Sequence, residues 1–115
     1  MYGSRKRRYV CSLPINNKYG PLGLNKPRGR TFIKMTVDEY ETIRLIDLEG
    51  FNQEECAKQM KIARTTVQGI YFKARQKIAK SLVDGDTLLI EGGYYYLCNG
   101  RGRGCGRACM GNRGY

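Results

Sequence analysis

Two groups of residues in this sequence could do chemistry, and one residue type is missing. Cys98, Cys105 and Cys109 follow the spacing C-x6-C-x3-C among glycines and arginines. Three thiolates on such a segment could hold an iron–sulfur cluster or zinc, with Cys11 as a fourth ligand if the N-terminal segment returns to them. The neighbouring arginines favour thiolates, so redox-reactive thiols are a further reading, and a plain disordered Gly/Arg/Cys tail is the alternative to both. Histidine is absent altogether. Without it the commonest general base and every Ser-His or Cys-His nucleophile pair are gone. The expectation is a protein that is not an enzyme, takes no small-molecule substrate and requires no cofactor.

The second group lies between Gln53 and Phe72. Two helices joined by a tight turn pack at a steep angle only if their inner positions are apolar and the crossing residue is small. Counting Gln53 as the first position, the fourth, eighth, tenth, fifteenth and eighteenth are Cys56, Met60, Ile62, Val67 and Ile70, and the fifth is Ala57. A shift of one residue would bury Glu55, Gln59, Lys61, Thr66 and Gly69 instead, so the register is specific. Lys61 falls where the turn needs a left-handed backbone, which glycine or asparagine adopts more cheaply, at an expected cost of about 1 kcal/mol. The outward side of the following helix then carries Arg64, Thr65, Gln68 and Phe72. Arginine can bond both guanine acceptors, glutamine can bond adenine bidentately, and a threonine methyl or phenylalanine edge can meet a thymine methyl. Thr66, Lys73, Arg75 and Lys77 suit contacts to the phosphate backbone.

Net charge agrees with such a partner. Twenty-one Lys and Arg face ten Asp and Glu, leaving +11, a surplus that favours polyanions and salt-sensitive association. The positive charge falls in three blocks, 1–35, 52–83 and 98–115, separated by acidic stretches at 36–51 and 84–97. The first block contains Arg5, Lys6, Arg7 and Arg8, which suit an arm lying along the DNA backbone or minor groove. Solvated surface or attraction to anionic lipid is the competing reading. No apolar run approaches the ~20 residues of a membrane span, and no apolar stretch follows the basic N-terminus. Five cysteines without a secretion signal point to a cytoplasmic protein with thiols rather than a disulfide framework.

The elements that must position these residues follow from local signals. Residues 1–30, rich in basic residues, proline and glycine, are expected to form an extended arm. Thr31 to Met35 reads as a short strand. Thr36-Val37-Asp38-Glu39 is a capping box opening a first helix, with Val37, Tyr40, Ile43 or Arg44, Leu45 and Leu48 at helical spacing up to Gly50. Asn52-Gln53-Glu54-Glu55 caps a short second helix, and a third runs from Arg64 to Leu82 with Val67, Ile70, Tyr71, Ala74, Ile78 and Leu82 as its apolar stripe. Thr87–Ile90 and Tyr94–Leu97 around Glu91-Gly92-Gly93 predict a β-hairpin, and residues 98–115 a Gly/Arg/Cys tail. The fold class is therefore mainly α, a three-helix helix-turn-helix domain at 31–97 with a short hairpin.

Two resemblances extend this reading. The stretch 52–82, with Ile62-Ala63-Arg64-Thr65-Thr66-Val67 and Ala74-Arg75-Gln76-Lys77-Ile78, resembles region four of bacterial sigma factors, the part that binds the upstream promoter element. A wider match includes Arg8-Tyr9-Val10-Cys11, Pro21-Leu22-Gly23, Thr36-Val37-Asp38-Glu39-Tyr40-Glu41, Gln53-Glu54-Glu55-Cys56-Ala57 and Ile90-Glu91-Gly92-Gly93. It resembles domain-of-unknown-function family one hundred and thirty-four, small prokaryotic proteins predicted to bind DNA. That resemblance implies a fold and a class of activity without a target.

The leading expectation is sequence-specific binding of double-stranded DNA by a transcriptional regulator, working as a homodimer through the hairpin. One alternative is an RNA-binding or ribosome-associated protein using the arginine-glycine tail and Tyr94, Tyr95 and Tyr96. Against it, alternate tyrosines of one strand point to opposite faces, leaving no platform of three. The other alternative is a metal- or redox-sensing DNA-binding regulator controlled through the cysteines.

Overall fold

A computed structural model describes residues 7–23 and 31–98. The element order is β1 (Arg8–Val10), β2 (Lys18–Tyr19), β3 (Phe32–Met35), α1 (Val37–Thr42) with a π-helical continuation at Ile43–Leu48, α2 (Gln53–Met60), α3 (Arg64–Asp84), β4 (Thr87–Ile90) and β5 (Tyr95–Leu97). Three helices are thus combined with strands in two small sheets.

Both predicted capping boxes form. The Thr36 hydroxyl accepts the Glu39 amide while the Glu39 carboxylate accepts the Thr36 amide, and Asn52 and Glu55 repeat the exchange at α2. Each box satisfies two of the amides that a helix start leaves without partners. The first helix ends at Gly50 as expected, but its second half is wound as a π-helix, with the Glu49 amide donating to the Arg44 carbonyl across five residues. This wider turn takes Leu48 away from the core, leaving it 74% exposed. Phe51 fills the place instead, buried against Leu45.

The core has two parts. Leu45, Phe51, Cys56, Ala57, Met60 and Val67 pack together with Ile46 and Ile62 around the α2–α3 pair. Val10, Met35, Val37, Ala74 and Ile90 form the second, where strands cover the middle of α3. All the inner positions predicted for α2 and α3 lie in or against this core. The far end of the predicted stripe does not: Leu82 is 83% exposed. Tyr71, also expected inside, is half-buried, and its hydroxyl donates to Asp47 Oδ1 at 2.7 Å.

The predicted hairpin is not formed. β4 lies between β2 and β3, parallel to β3 with Phe32 opposite Thr87 and Met35 opposite Ile90, whereas β5 pairs in parallel with β1, Arg8 opposite Tyr95. Glu91-Gly92-Gly93 is a crossing between sheets rather than a turn. Gly92 and Gly93 have φ of +80° and +107°, and the Gly92 carbonyl accepts the Val37 amide at the start of α1. A Cβ on Gly93 would stand 2.5 Å from Asp38 Oδ1, so glycine is required there by close approach as well as by its left-handed backbone. The segment expected to be an extended arm contributes β1 and β2 to these sheets.

A fully buried carboxylate ties the end of β1 to the first helix. Glu41, with no exposed surface, accepts Arg44 Nε and Nη2, each at 2.9 Å, and the Cys11 amide at 3.1 Å. Burial works against the Arg44 charge, but the hydrogen bonds and charge of Glu41 outweigh it and the guanidinium is held more firmly protonated than usual. Removing one partner of such a pair leaves a buried charge uncompensated, typically costing about 3–5 kcal/mol. Glu41→Gln is expected to lower stability by about 3 kcal/mol, the lower end because Glu49 remains 3.4 Å from Arg44. Urea unfolding measures it, and a loss below about 1 kcal/mol would show that Glu41 does not anchor β1.

Candidate nucleic-acid interface

The chain leaves α2 through a sharp turn at Lys61, which has φ 59° and ψ 46°, the only positive φ at a non-glycine among the described residues. The Ile62 amide donates to the Ala57 carbonyl, closing the end of α2. Ala63 then begins α3 as an N-cap that makes no side-chain hydrogen bond, and no acid lies in the first turn. This contrasts with α1 and α2, which carry capping boxes and two acids each. The first amides of α3 therefore present partial positive charge without a side-chain acceptor.

Helical spacing separates α3 into an inner edge of Val67, Ile70 and Ala74, all buried, and an outer stripe of exposed Thr65, Gln68 and Phe72, with Arg64 and Arg75 exposed on its flank. The four residues expected to read bases thus share one accessible side. Sequence reasoning passed over a fifth position on that side, Gly69. It is exposed in the second turn of a 21-residue helix, and a Cβ there would meet nothing within 4 Å. Among the described residues no packing requires glycine there. Compared with alanine it costs the helix about 0.5–1 kcal/mol, and an isolated glycine inside a helical pattern is the sequence signal that marks it.

The residues expected at the phosphate backbone divide. Lys73 is exposed and Thr66 half-buried. Arg75 is exposed, with Nε 3.6 Å from Asp47 Oδ2. Lys77 turns toward α1 and donates to Glu39 Oε1 at 2.7 Å, so its charge offsets a buried acid. Arg8 is likewise drawn in, with Nε 3.6 Å from Asp38 Oδ2. Arg7 remains exposed, its guanidinium 5.1 Å and 4.6 Å from the ring centroids of Tyr94 and Tyr96. Arg5 and Lys6 lie outside the described residues.

The β1–β5 ribbon reaches the turn. Tyr9 lies beside Tyr96, with ring centroids 5.6 Å apart and a tilt of 54°, and Lys61 Nζ stands 5.1 Å over the Tyr9 ring. Tyr95 faces the other way, into the core. Alternation along β5 therefore holds as expected, but β1 supplies a third ring to the outer face. A left-handed backbone costs a non-glycine residue about 1–2 kcal/mol, while an exposed cation–π contact returns about 0.5–1 kcal/mol. Stability alone does not account for lysine at this position.

The cysteines also divide. Cys11 is buried and Cys98 packs against it, because the Cys98 amide extends the β1–β5 ladder by donating to the Val10 carbonyl at 2.8 Å. The N-terminal segment thus returns to the start of the predicted ligand set. Cys105 and Cys109 lie outside the described residues. Among the described residues no group of three or more Cys, Asp or Glu is arranged to hold a metal ion. Cys56 is a core residue with its Sγ 3.7 Å from Met60 Sδ. Burial, reinforced by the Glu41 charge, pushes its thiol up to about 12, so it stays protonated and unreactive at neutral pH. No helix among the described residues is long and apolar enough to cross a membrane.

Comparison with known proteins agrees with the wider sequence resemblance. No solved structure gives a significant match. A UPF0251 protein of Desulfitobacterium hafniense is 64% identical over 108 residues, covering 94% of this chain and 86% of the relative. A UPF0251 protein of Caldanaerobacter subterraneus is 45% identical over 101 residues, covering 88% and 85%. Another from Caldicellulosiruptor bescii is 46% identical over 92 residues, covering 80% of this chain and 63% of the relative. The family profile described as "Protein of unknown function DUF134" matches residues 2–98, and with these relatives the chain belongs to that family.

Proposed function

We propose that this protein binds double-stranded DNA sequence-specifically as a non-enzymatic transcriptional regulator, with α2 and α3 acting as a helix-turn-helix. Arg64, Thr65, Gln68 and Phe72 enter the major groove, while Thr66, Lys73, Arg75 and the first amides of α3 meet phosphates. One observation carries the reading. Between Lys61 and Gly69 the chain departs three times from the locally most stable residue, each time at an exposed position. Lysine holds a left-handed turn, alanine holds an N-cap, and glycine sits in the second turn of α3. Such departures concentrate at functional sites, where an external partner rather than the fold selects the residue. An uncapped helix start suits a phosphate, and a helix position without Cβ suits close approach of a base or sugar.

The net charge of +11 supports a polyanionic partner. The homodimer remains part of the proposal, with Leu82 and Val83, both exposed at the end of α3, as the candidate contact in place of the absent hairpin. Paired half-sites would then lie about 34–36 Å apart.

A second reading adds a sensor. The contact between Cys11 and Cys98 supports ligation of zinc or an iron–sulfur cluster by Cys11, Cys98, Cys105 and Cys109, with occupancy setting DNA affinity. Full-length protein purified anaerobically is expected to carry zinc or iron in proportion to chain and to lose it in Cys11→Ser. Metal-free protein whose duplex binding ignores chelator rules the sensor out.

The principal reading is tested on a duplex selected by the protein and on a random duplex of equal length. Arg64→Ala should cost about 1–3 kcal/mol on the selected duplex and little on the random one, whereas Lys73→Ala should weaken both alike. Gly69→Ala should raise stability by about 0.5–1 kcal/mol yet weaken binding to the selected duplex on the order of tenfold or more. A Gly69→Ala protein that is more stable and binds as well as the parent would contradict the groove placement of α3, and tighter binding to single-stranded RNA than to any duplex would contradict the reading as a whole.

A further inference from the structure

The tyrosine-rich face of the β1–β5 ribbon is not used by the reading above, although it adjoins the turn that presents α3. We infer that Arg7 and Lys61 form a phosphate clamp, seated on Tyr9, Tyr94 and Tyr96, that grips the DNA backbone flanking the groove occupied by α3. This inference rests on the proposed DNA-binding role of α3 and extends it to a second element of the fold.

Geometry favours phosphate over a stacked base. A platform for unpaired bases needs open ring faces, but Arg7 lies over both Tyr94 and Tyr96, at 5.1 Å and 4.6 Å from their centroids, and Lys61 lies over Tyr9 at 5.1 Å. Tyr9 and Tyr96 are also tilted by 54° to one another, so they present no common plane. The rings act instead as rigid supports. A cation held over a ring face keeps its N–H donors free to point elsewhere, and restricting two long side chains beforehand lowers the entropy lost on binding. Both cations are exposed.

Position supports the same partner. Lys61 and Arg64 are three residues apart, so their backbones lie within about 10 Å, a span over which a duplex carries roughly six phosphate charges. A cation at the turn and a base-reading arginine at the helix start can therefore engage one stretch of DNA. Lysine in the left-handed position also gains a reason that stability does not supply: glycine would relieve the backbone but remove the charge.

Replacing Lys61 with glycine separates the loss of charge from any loss of folding. Lys61→Gly is expected to melt at or above the temperature of the parent, because glycine adopts the turn without strain. In a salt titration of the full chain on its selected duplex, Lys61→Gly and Arg7→Ala should each reduce the slope of log K against log salt by about 0.9, and weaken binding roughly eightfold at 0.1 M salt. Trimming the duplex on the ribbon side should weaken the parent and erase the difference between parent and variants. Unchanged slopes in both variants, with Arg64→Ala still losing discrimination, overturn the clamp and leave the role of α3 standing. Unchanged binding in all three variants removes both. A loss confined to single-stranded oligonucleotides overturns the clamp in favour of a base-stacking surface.

Discussion

Glu41 occupies the point where α1, its π-helical continuation and the end of β1 meet. It lies on α1, accepts a bidentate pair of bonds from Arg44 on the π-helical continuation, and accepts the Cys11 amide just beyond β1. A buried ion pair is stable only when its remaining polar capacity is used, since desolvation otherwise exceeds the mutual attraction. The strand amide supplies part of that capacity here. By holding β1, Glu41 also holds β5, which has β1 as its strand partner. The ribbon is thereby fixed beside α2, Tyr9 beside Lys61, and the start of α3 beside both.

Within that frame, stability is used unevenly. α1 and α2 open with reciprocal capping boxes and acidic first turns, which is what selection for a stable helix start produces. α3 is the longest helix and the one whose start lacks these devices. Its inner edge, Val67, Ile70 and Ala74, is buried in the core, so the helix is not a marginal one. The unfavourable choices are confined to its start, its outer face and the preceding turn. A pattern of strong packing on one side and relaxed local rules on the other fits the proposed role of α3 in presenting a surface to a partner.

Much of the helical part was legible in the sequence because its determinants are local. Thr36 with Glu39, and Asn52 with Glu55, fix helix starts within four residues. The apolar spacing from Cys56 to Ile70 sets the α2–α3 register, and the left-handed turn falls on Lys61 as that register requires. The strands were less legible. Tyr95–Leu97 carries no local mark of its partner, which lies at Arg8–Val10 near the other end of the chain, and parallel pairing leaves no turn signature. Glu91-Gly92-Gly93 looks like a hairpin turn because glycine marks positive φ without saying whether the chain reverses or passes over a helix start. Charge misled in a similar way. Lys77 and Arg8 were expected on the outside by type, but buried Glu39 and Asp38 draw them in. Leu82 shows the converse, an apolar residue at inner spacing that the described residues leave exposed.

The proposed DNA-binding surface runs from Arg7 and Tyr96 across Lys61 to Arg64, Gly69 and Phe72. Backbone-amide NMR of the full chain, titrated with its selected duplex, tests this most directly. The account predicts that the largest shift changes fall on residues 61–72 and on the outer positions of the ribbon, while those of β2, β3 and the inner edge of α3 stay small. Changes concentrated on β2 and β3, or none at a duplex concentration that saturates an equally basic control protein, would contradict it.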